Sequence, residues 1–342
     1  MEQTSNYYKI RAIGDTISDT GEFIKTHFRS LIKSFFIIAG PLIFIAAILF
    51  GVFQQNTFSL AQKVGGGATD AADAYSLGLS FFQYGFTSIL LFLVSFFLVV
   101  AVVYQYMMLA QTNAAADITV NMVWKAVRKN MWLIIKTTIG LIICYIGICI
   151  GFIFIAAIAG GIAGGIGAGI ASAVSGVGAV AAAIVGAILV VAAILGFVAF
   201  GFYMFSPLAI VFSIRVFEHK RFWKSVSRSY ELIKNNRWNT VGVLLLTLVV
   251  QSSIQFVFYI PSMVYMIYQL NSLDLPKISW LFVISSGVSM LVGYLVMMIS
   301  MIAINFHYFN LVERQESVSL LNKVQSFEPG QQGQGEVANE TY

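Results

Sequence analysis

The chain has 342 residues, of which 58% are hydrophobic and only 10% charged, and it carries a formal net charge of +5. Soluble globular domains carry about 25% charged residues, so this composition excludes an ordinary soluble enzyme and makes lipid the main solvent. The deficit is concentrated: between Lys136 and Arg215 there is no Asp, Glu, Lys or Arg, as two bilayer-crossing helices and the turn between them require.

Taken in chain order, the first apolar run begins only near Phe35, behind a polar and amphipathic segment, so no cleavable signal peptide is expected. Within that segment Ile13, Ile17, Ile24, Phe28, Leu31 and Phe35 fall at helical spacing, with Asp15, Asp19, Glu22, Lys25 and Arg29 on the other faces. Apolar stretches near 35–53 and 81–106 predict two spans, since a hydrocarbon core takes about 20 helical residues. A second amphipathic stretch follows, with Val120, Val123, Val127 and Met131 on one face and Asp117 placed as its N-cap. Spans are predicted near 133–158 and 180–206. Cys144 and Cys149 lie in the first of these, roughly 140° apart around the helix, which makes them packing residues and not a disulfide or zinc pair. Gly161, Gly165 and Gly169 fall four apart in a Gly/Ala stretch over 159–179. If helical, they offer a smooth stripe for a neighbouring helix; if not, they form an external turn. The third amphipathic stretch carries Phe222, Val226, Tyr230 and Ile233, and the last two spans are predicted near 241–266 and 280–304.

The basic residues orient this arrangement. Of the 20 lysines and arginines, only Lys63 and Lys277 fall on the side opposite the N-terminus. Basic flanks resist translocation, which places both termini in the cytoplasm, with Trp132, Trp238 and Trp280 at the membrane borders.

The three amphipathic stretches also resemble one another. Ile17-Ser18-Asp19-Thr20-Gly21-Glu22-Phe23-Ile24-Lys25 aligns with Val226-Ser227-Arg228-Ser229-Tyr230-Glu231-Leu232-Ile233-Lys234, a shift of 209 residues (226 − 17), and Asn130 and Trp132 recur as Asn236 and Trp238. The expectation is an all-α polytopic membrane protein: six transmembrane helices as three hairpins, each preceded by a cytoplasmic interfacial helix. The repeat units lie near 11–110, 117–213 and 220–322, within a single membrane domain over 1–322. Residues 323–342, rich in Gln and Gly, are expected to be a disordered cytoplasmic tail.

Three further stretches carry a family likeness: Phe205-Ser206-Pro207-Leu208-Ala209-Ile210-Val211; the basic run from Ser227 to Trp238; and Tyr308-Phe309-Asn310-Leu311-Val312-Glu313-Arg314-Gln315-Glu316. Together with the opening Ile13-Gly14-Asp15-Thr16-Ile17-Ser18-Asp19-Thr20, the chain resembles the bacterial glycerophosphoryl diester phosphodiesterase membrane-domain family and its six-span relatives. Members named for the phosphodiesterase carry a soluble catalytic domain after the membrane part. Only a short polar tail follows here, so the resemblance implies the membrane fold and carries over no catalytic residue.

Two groups of candidate site residues stand out. Lys220, Arg221, Lys224, Arg228, Lys234 and Arg237 form the densest basic cluster; near a membrane each cation adds about 1 kcal/mol of attraction to anionic headgroups, although basic loops also arise simply to fix topology. Gln251, Ser252, Ser253 and Gln255 are the most polar patch inside any predicted span, ahead of Pro261; such residues serve either as helix glue or as a polar path. The carboxylates and His27, His219 and His307 fall outside the predicted span cores, which argues against an ion-coupled carrier and leaves no cofactor, metal or catalytic constellation. The expectation is a non-enzymatic inner-membrane protein organising anionic lipids or partner proteins through a basic collar, with no nucleic-acid partner. The alternative is a passive or partner-driven transporter with its path near the fifth span.

Overall fold

A computed structural model describes residues 7–65, 71–173, 177–270 and 279–321. Nearly all of these are helical, and no strand occurs among them. The helices are α1 (Ile13–Ile38), α2 (Gly40–Gly65), α3 (Ala71–Ser80), α4 (Thr87–Ala110), α5 (Val120–Ala173), α6 (Val177–Ala209), α7 (Val211–Phe217), α8 (Phe222–Ile233), α9 (Arg237–Leu270) and α10 (Ser279–Glu316). Six helical stretches are long and apolar enough to cross a membrane: Gly40–Thr57, Gly78–Ala110, Val120–Phe154, Gly196–Phe217, Arg237–Ile267 and Trp280–Glu316.

Breaks in the helices follow local chemistry. Pro41 lacks a backbone N–H and sits in the first turn of α2, where none is needed, so α1 stops at Ile38. Phe35, predicted to open the first span, therefore ends the first amphipathic helix instead, fully buried in the core. Between α3 and α4 the helix widens into a π turn over Phe81–Phe86, which seats Gly85 against the ring of Phe53; a Cβ at Gly85 would lie 2.9 Å from that ring. Pro207 deprives the Tyr203 carbonyl of its helical donor, and the Ser206 hydroxyl donates to that carbonyl instead, at 2.9 Å. Such local repair is what lipid surroundings demand of a proline in a span.

Two expectations need correction. The second amphipathic stretch is not a separate helix: no breaker separates Val120 from the span, and α5 runs on as one rod of 54 residues. Nor does Asp117 cap it. Asp117 lies in the preceding turn, Ile118 tucks into the core, and Thr119 stands before the first residue, its hydroxyl accepting from the Met122 N–H at 3.4 Å.

The last helix is the hub. α10 packs against α9, α2, α1 and α4, while α9 leans on α10 rather than on α2 or α4. Where α2 crosses α10 the approach is close: a Cβ on Gly51 would come 3.0 Å from the Val283 carbonyl oxygen. The best-buried part of the core, with Phe35, Val99, Tyr106, Ile214, Ile302 and Phe309, gathers toward the end that carries the basic segments.

The two separate amphipathic helices bury a face that hydropathy does not show. In α1 the buried residues include Thr16, Thr20, Phe23 and Ser34, while Phe28 is 53% exposed. In α8 they are Ser225, Ser229, Leu232 and Ile233. Thr16, Thr20 and Phe23 correspond, under the 209-residue shift, to Ser225, Ser229 and Leu232. The hydroxyls bond carbonyls of their own helix, as with Thr20 on Thr16 at 2.6 Å and Ser229 on Val226 at 2.7 Å, so each is satisfied without a partner across the interface.

Candidate functional site

At the basic end the start of the chain is clasped to the end of the last span. Asn310, buried on α10, accepts from the Arg11 N–H at 3.1 Å and donates to the Arg11 carbonyl at 3.0 Å. Arg314 donates to the same Asn310 oxygen at 3.0 Å and to the Arg11 carbonyl at 3.1 Å. The Arg11 guanidinium pairs with Asp19 at 2.6 Å and lies over the Phe306 ring at 5.0 Å. Ahead of it Tyr7 stacks on Phe306 and donates to the Ala110 carbonyl at 3.0 Å; burial, with Tyr106 nearby, pushes its phenol up to about 12.

The predicted headgroup cluster divides in two. Arg228 is engaged within the protein: its guanidinium lies 3.8 Å from Glu218 and 3.8 Å from Glu231, and it pairs closely with Glu316 at the end of α10. Lys220 also pairs with Glu218, at 2.5 Å, and the Tyr308 hydroxyl donates to that carboxylate at 3.0 Å. Arg237 sits over the rings of Tyr203 and Tyr230 at 4.8 and 5.6 Å. These contacts, with Gln315 donating to the carbonyls of Glu231 and Leu232 at 3.1 Å, fasten α8 to α10. Arg221, Lys224 and Lys234 are exposed. Arg215, counted with this loop in the sequence, is buried in α7, with Nε and Nη1 lacking a partner among the described residues.

A different basic helix faces open space. A groove of about 1360 Å³ runs between α1 and the connection into α5, and Lys25, Arg29 and Lys33 line it at i, i+4 and i+8. All three are exposed, and among the described residues no carboxylate pairs with any of them. Phe28 and Ile37, each more than half exposed, supply apolar surface beside the charges, and Thr26, Ser30 and Thr119 supply hydroxyls. Sequence reading counted these cations only as topology signals. The clue was present in the fourfold spacing of the cations beside Phe28.

The polar patch of the fifth span lies on α9 and faces α10. Gln255 Nε2 donates to the Ser289 carbonyl at 2.8 Å and meets the Ser289 hydroxyl at 2.9 Å; Gln251 accepts from Ser300 at 3.1 Å; Ser262 and Ser285 meet at 2.9 Å. Ser253 bonds the Val249 carbonyl of its own helix at 2.8 Å, and Ser252 is exposed. Gln251, Ser252 and Gln255 line a cleft of about 530 Å³ whose other walls are Phe50 and Gln54 of α2, Phe92 and Phe96 of α4, and α10. α9 runs on through Pro261 without a break.

Of the remaining expectations, Gly161, Gly165 and Gly169 lie within α5, so the Gly/Ala stretch is helical as far as Ala173, and Val177 onward is helical again in α6. Residues 174–176 and the predicted disordered tail at 323–342 lie outside the described residues. His307, predicted outside the span cores, lies on α10 well before its end at Glu316 and is buried, its Nε2 meeting the Thr240 hydroxyl at 2.9 Å. Cys144 is half-buried and Cys149 exposed, both free thiols. Among the described residues no three His, Cys, Asp or Glu side chains come together as a metal site.

Comparison with known proteins places this arrangement in a family. The chain belongs to the family described as a domain of unknown function, DUF7847. The match covers residues 33–308, from the end of α1 to the last turns of α10, so it takes in all six candidate spans in whole or part and the whole α9 cleft. No curated protein and no solved structure matches the chain.

Proposed function

We propose that this protein is a non-enzymatic, six-span protein of the bacterial inner membrane that binds anionic phospholipid headgroups on its cytoplasmic face. The observation that carries the reading is the groove beside α1, where three exposed cations, without carboxylate partners among the described residues, lie among exposed apolar side chains. A headgroup phosphate satisfies the cations and its first methylenes cover Phe28 and Ile37, whereas a soluble anion would leave that apolar surface in water. The topology is three hairpins with both termini in the cytoplasm. Its support is the Arg11–Asn310 clasp, which brings the two ends of the bundle together, and the basic side chains gathered there. The shared buried register of α1 and α8 supports a repeated unit, and a six-span likeness to the phosphodiesterase membrane domain accords with it. α8 and α1 together form the collar, and partner membrane proteins are further candidates for it.

Passage of a solute past Gln251 and Gln255 has weaker support. Both amides are engaged in joining α9 to α10, Gln255 through Ser289 and Gln251 through Ser300.

The test titrates a fluorescent phosphatidylglycerol analogue, and its phosphatidylcholine counterpart, into the purified protein in neutral detergent. Three cations at about 1 kcal/mol each predict a hundredfold weaker phosphatidylglycerol affinity in the Lys25→Ala, Arg29→Ala, Lys33→Ala variant. The phosphatidylcholine signal should not change. Equal affinity for the two lipids, or an unchanged variant, rejects the proposal.

A further inference from the structure

We infer that the cleft between α9 and the α2–α4 pair is a binding site for an uncharged membrane amphiphile that presents a hydroxyl group to Gln255. This site is independent of the headgroup groove, and either can fail without the other.

The amide of Gln255 is anchored through its nitrogen. Its Nε2 is held by both the carbonyl and the hydroxyl of Ser289, at 2.8 and 2.9 Å, which turns Oε1 away from that partner. That oxygen is buried and has no donor among the described residues. An acceptor left in this state costs about 1–3 kcal/mol, and in an apolar setting water is not at hand to relieve it. Opposite it stands Gly293. A Cβ at this position would lie 3.1 Å from Oε1, so α10 covers the oxygen with no more than a glycine, and a ligand hydroxyl reaches it once the amide swings toward the cleft.

The rest of the cleft sets the class of ligand. None of its lining side chains is Asp, Glu, Lys, Arg or His. A ligand amine or carboxylate would therefore enter as an unpaired charge at high cost, whereas a hydroxyl supplies the missing donor and stays neutral. Phe50, Phe92, Phe96 and Met297 give the hydrocarbon part of the ligand an apolar wall, and a volume of about 530 Å³ lies within the 300–1,000 Å³ typical of small-molecule sites. The route of entry is lateral. Ser252 and Tyr259 on the rim are exposed, as is neighbouring Phe256 on the outer surface of α9, and α9 does not close against α2 or α4. A molecule already dissolved in the bilayer reaches Gln255 from the side.

The test uses two probes on the full chain in nanodiscs: a long-chain primary alcohol with a diazirine in its chain, and the O-methyl ether of the same molecule, in which a methyl group replaces the donor hydrogen. After photolysis, labelled peptides from α9 and α10 are quantified. The alcohol should label the cleft peptides about tenfold more than the ether. Gln255→Leu should reduce alcohol labelling to the ether level. Gly293→Ala should lower alcohol labelling while keeping the amide, its added methyl crowding Oε1. Circular dichroism shows whether each variant is folded, and the comparison of alcohol with ether in the parent needs no variant. Equal labelling by the two probes overturns the site, as does a folded Gln255→Leu variant that labels like the parent, or labelling confined to other helices.

Discussion

Two basic helices at the same end of the molecule, α1 and α8, share a buried register yet dispose of their charge in opposite ways. In α8 Arg228 turns inward to Glu218, Glu231 and Glu316, and Arg237 at the start of α9 lies over Tyr230 of α8 and Tyr203, so much of the charge is spent on fastening the helix to its neighbours. In α1 the inner face joins Phe23, Leu31 and Phe35 to threonine and serine hydroxyls that bond their own helix, and Lys25, Arg29 and Lys33 remain outside, beside a groove. The density of basic residues along a sequence therefore does not measure the charge a membrane surface meets. What matters is which carboxylates the fold brings within reach.

The contrast fails if the helices prove interchangeable, and the largest test is Arg228→Ala. It removes the cation shared by Glu218, Glu231 and Glu316, Lys220 remaining on Glu218, at an expected cost of about 2 kcal/mol. Thermal unfolding in detergent should shift down by that amount while phosphatidylglycerol affinity stays within about twofold. Weaker lipid binding with unchanged unfolding would make α8 the headgroup site. A smaller effect is expected from Gly140→Ala. The ring of Phe222, at the start of α8, packs on this glycine of α5, and an added Cβ would lie 2.6 Å from it. The ring must move, costing about 1 kcal/mol, and hydrogen exchange should rise in α8 and not in α1.

A third prediction concerns pH and α1. His27 bonds the Phe23 carbonyl at 3.0 Å and stacks on the Phe23 ring. Burial lowers its pKa below the usual histidine value, partly offset by that carbonyl. Between the lowered folded value and the ordinary 6.5 the unfolded chain holds more protons, so stability falls as pH drops through that interval and is fully present above it. Unfolding followed from pH 8 downward should show this decline, and His27→Gln should flatten it. Least of all, Asp117→Ala should stay within about 0.5 kcal/mol of the parent, since Asp117 lies ahead of Thr119 and outside α5.

The six spans were readable because length and apolarity alone define them; the structure has six candidate spans in the same order, the first starting only at Gly40, past the end of α1, and the fourth reaching on to Phe217. The rotation of α1 was not readable. Phe28 and Ile24 look like core residues by spacing, whereas Thr16, Thr20 and Ser34 look like surface, and only their bonds to their own backbone make them cheap to bury. The partners of Arg228 were invisible for another reason: Glu316 lies far along the chain and meets it only when α10 and α8 dock. The polar patch was half legible. The spacing of Gln251 and Gln255 placed them on one face, but nothing in their own segment pointed to Gly293 or to the phenylalanines of α2 and α4 that complete the cleft.

The clasp between Arg11 and Asn310 bears on how the protein is made. Arg11 leaves the ribosome 299 residues ahead of Asn310, so α1 waits without this partner while five candidate spans are made. Only the sixth supplies the amide that receives it. The clasp therefore closes only after α10 is made, and a chain stalled before Asn310 holds α1 without it, more open to proteases.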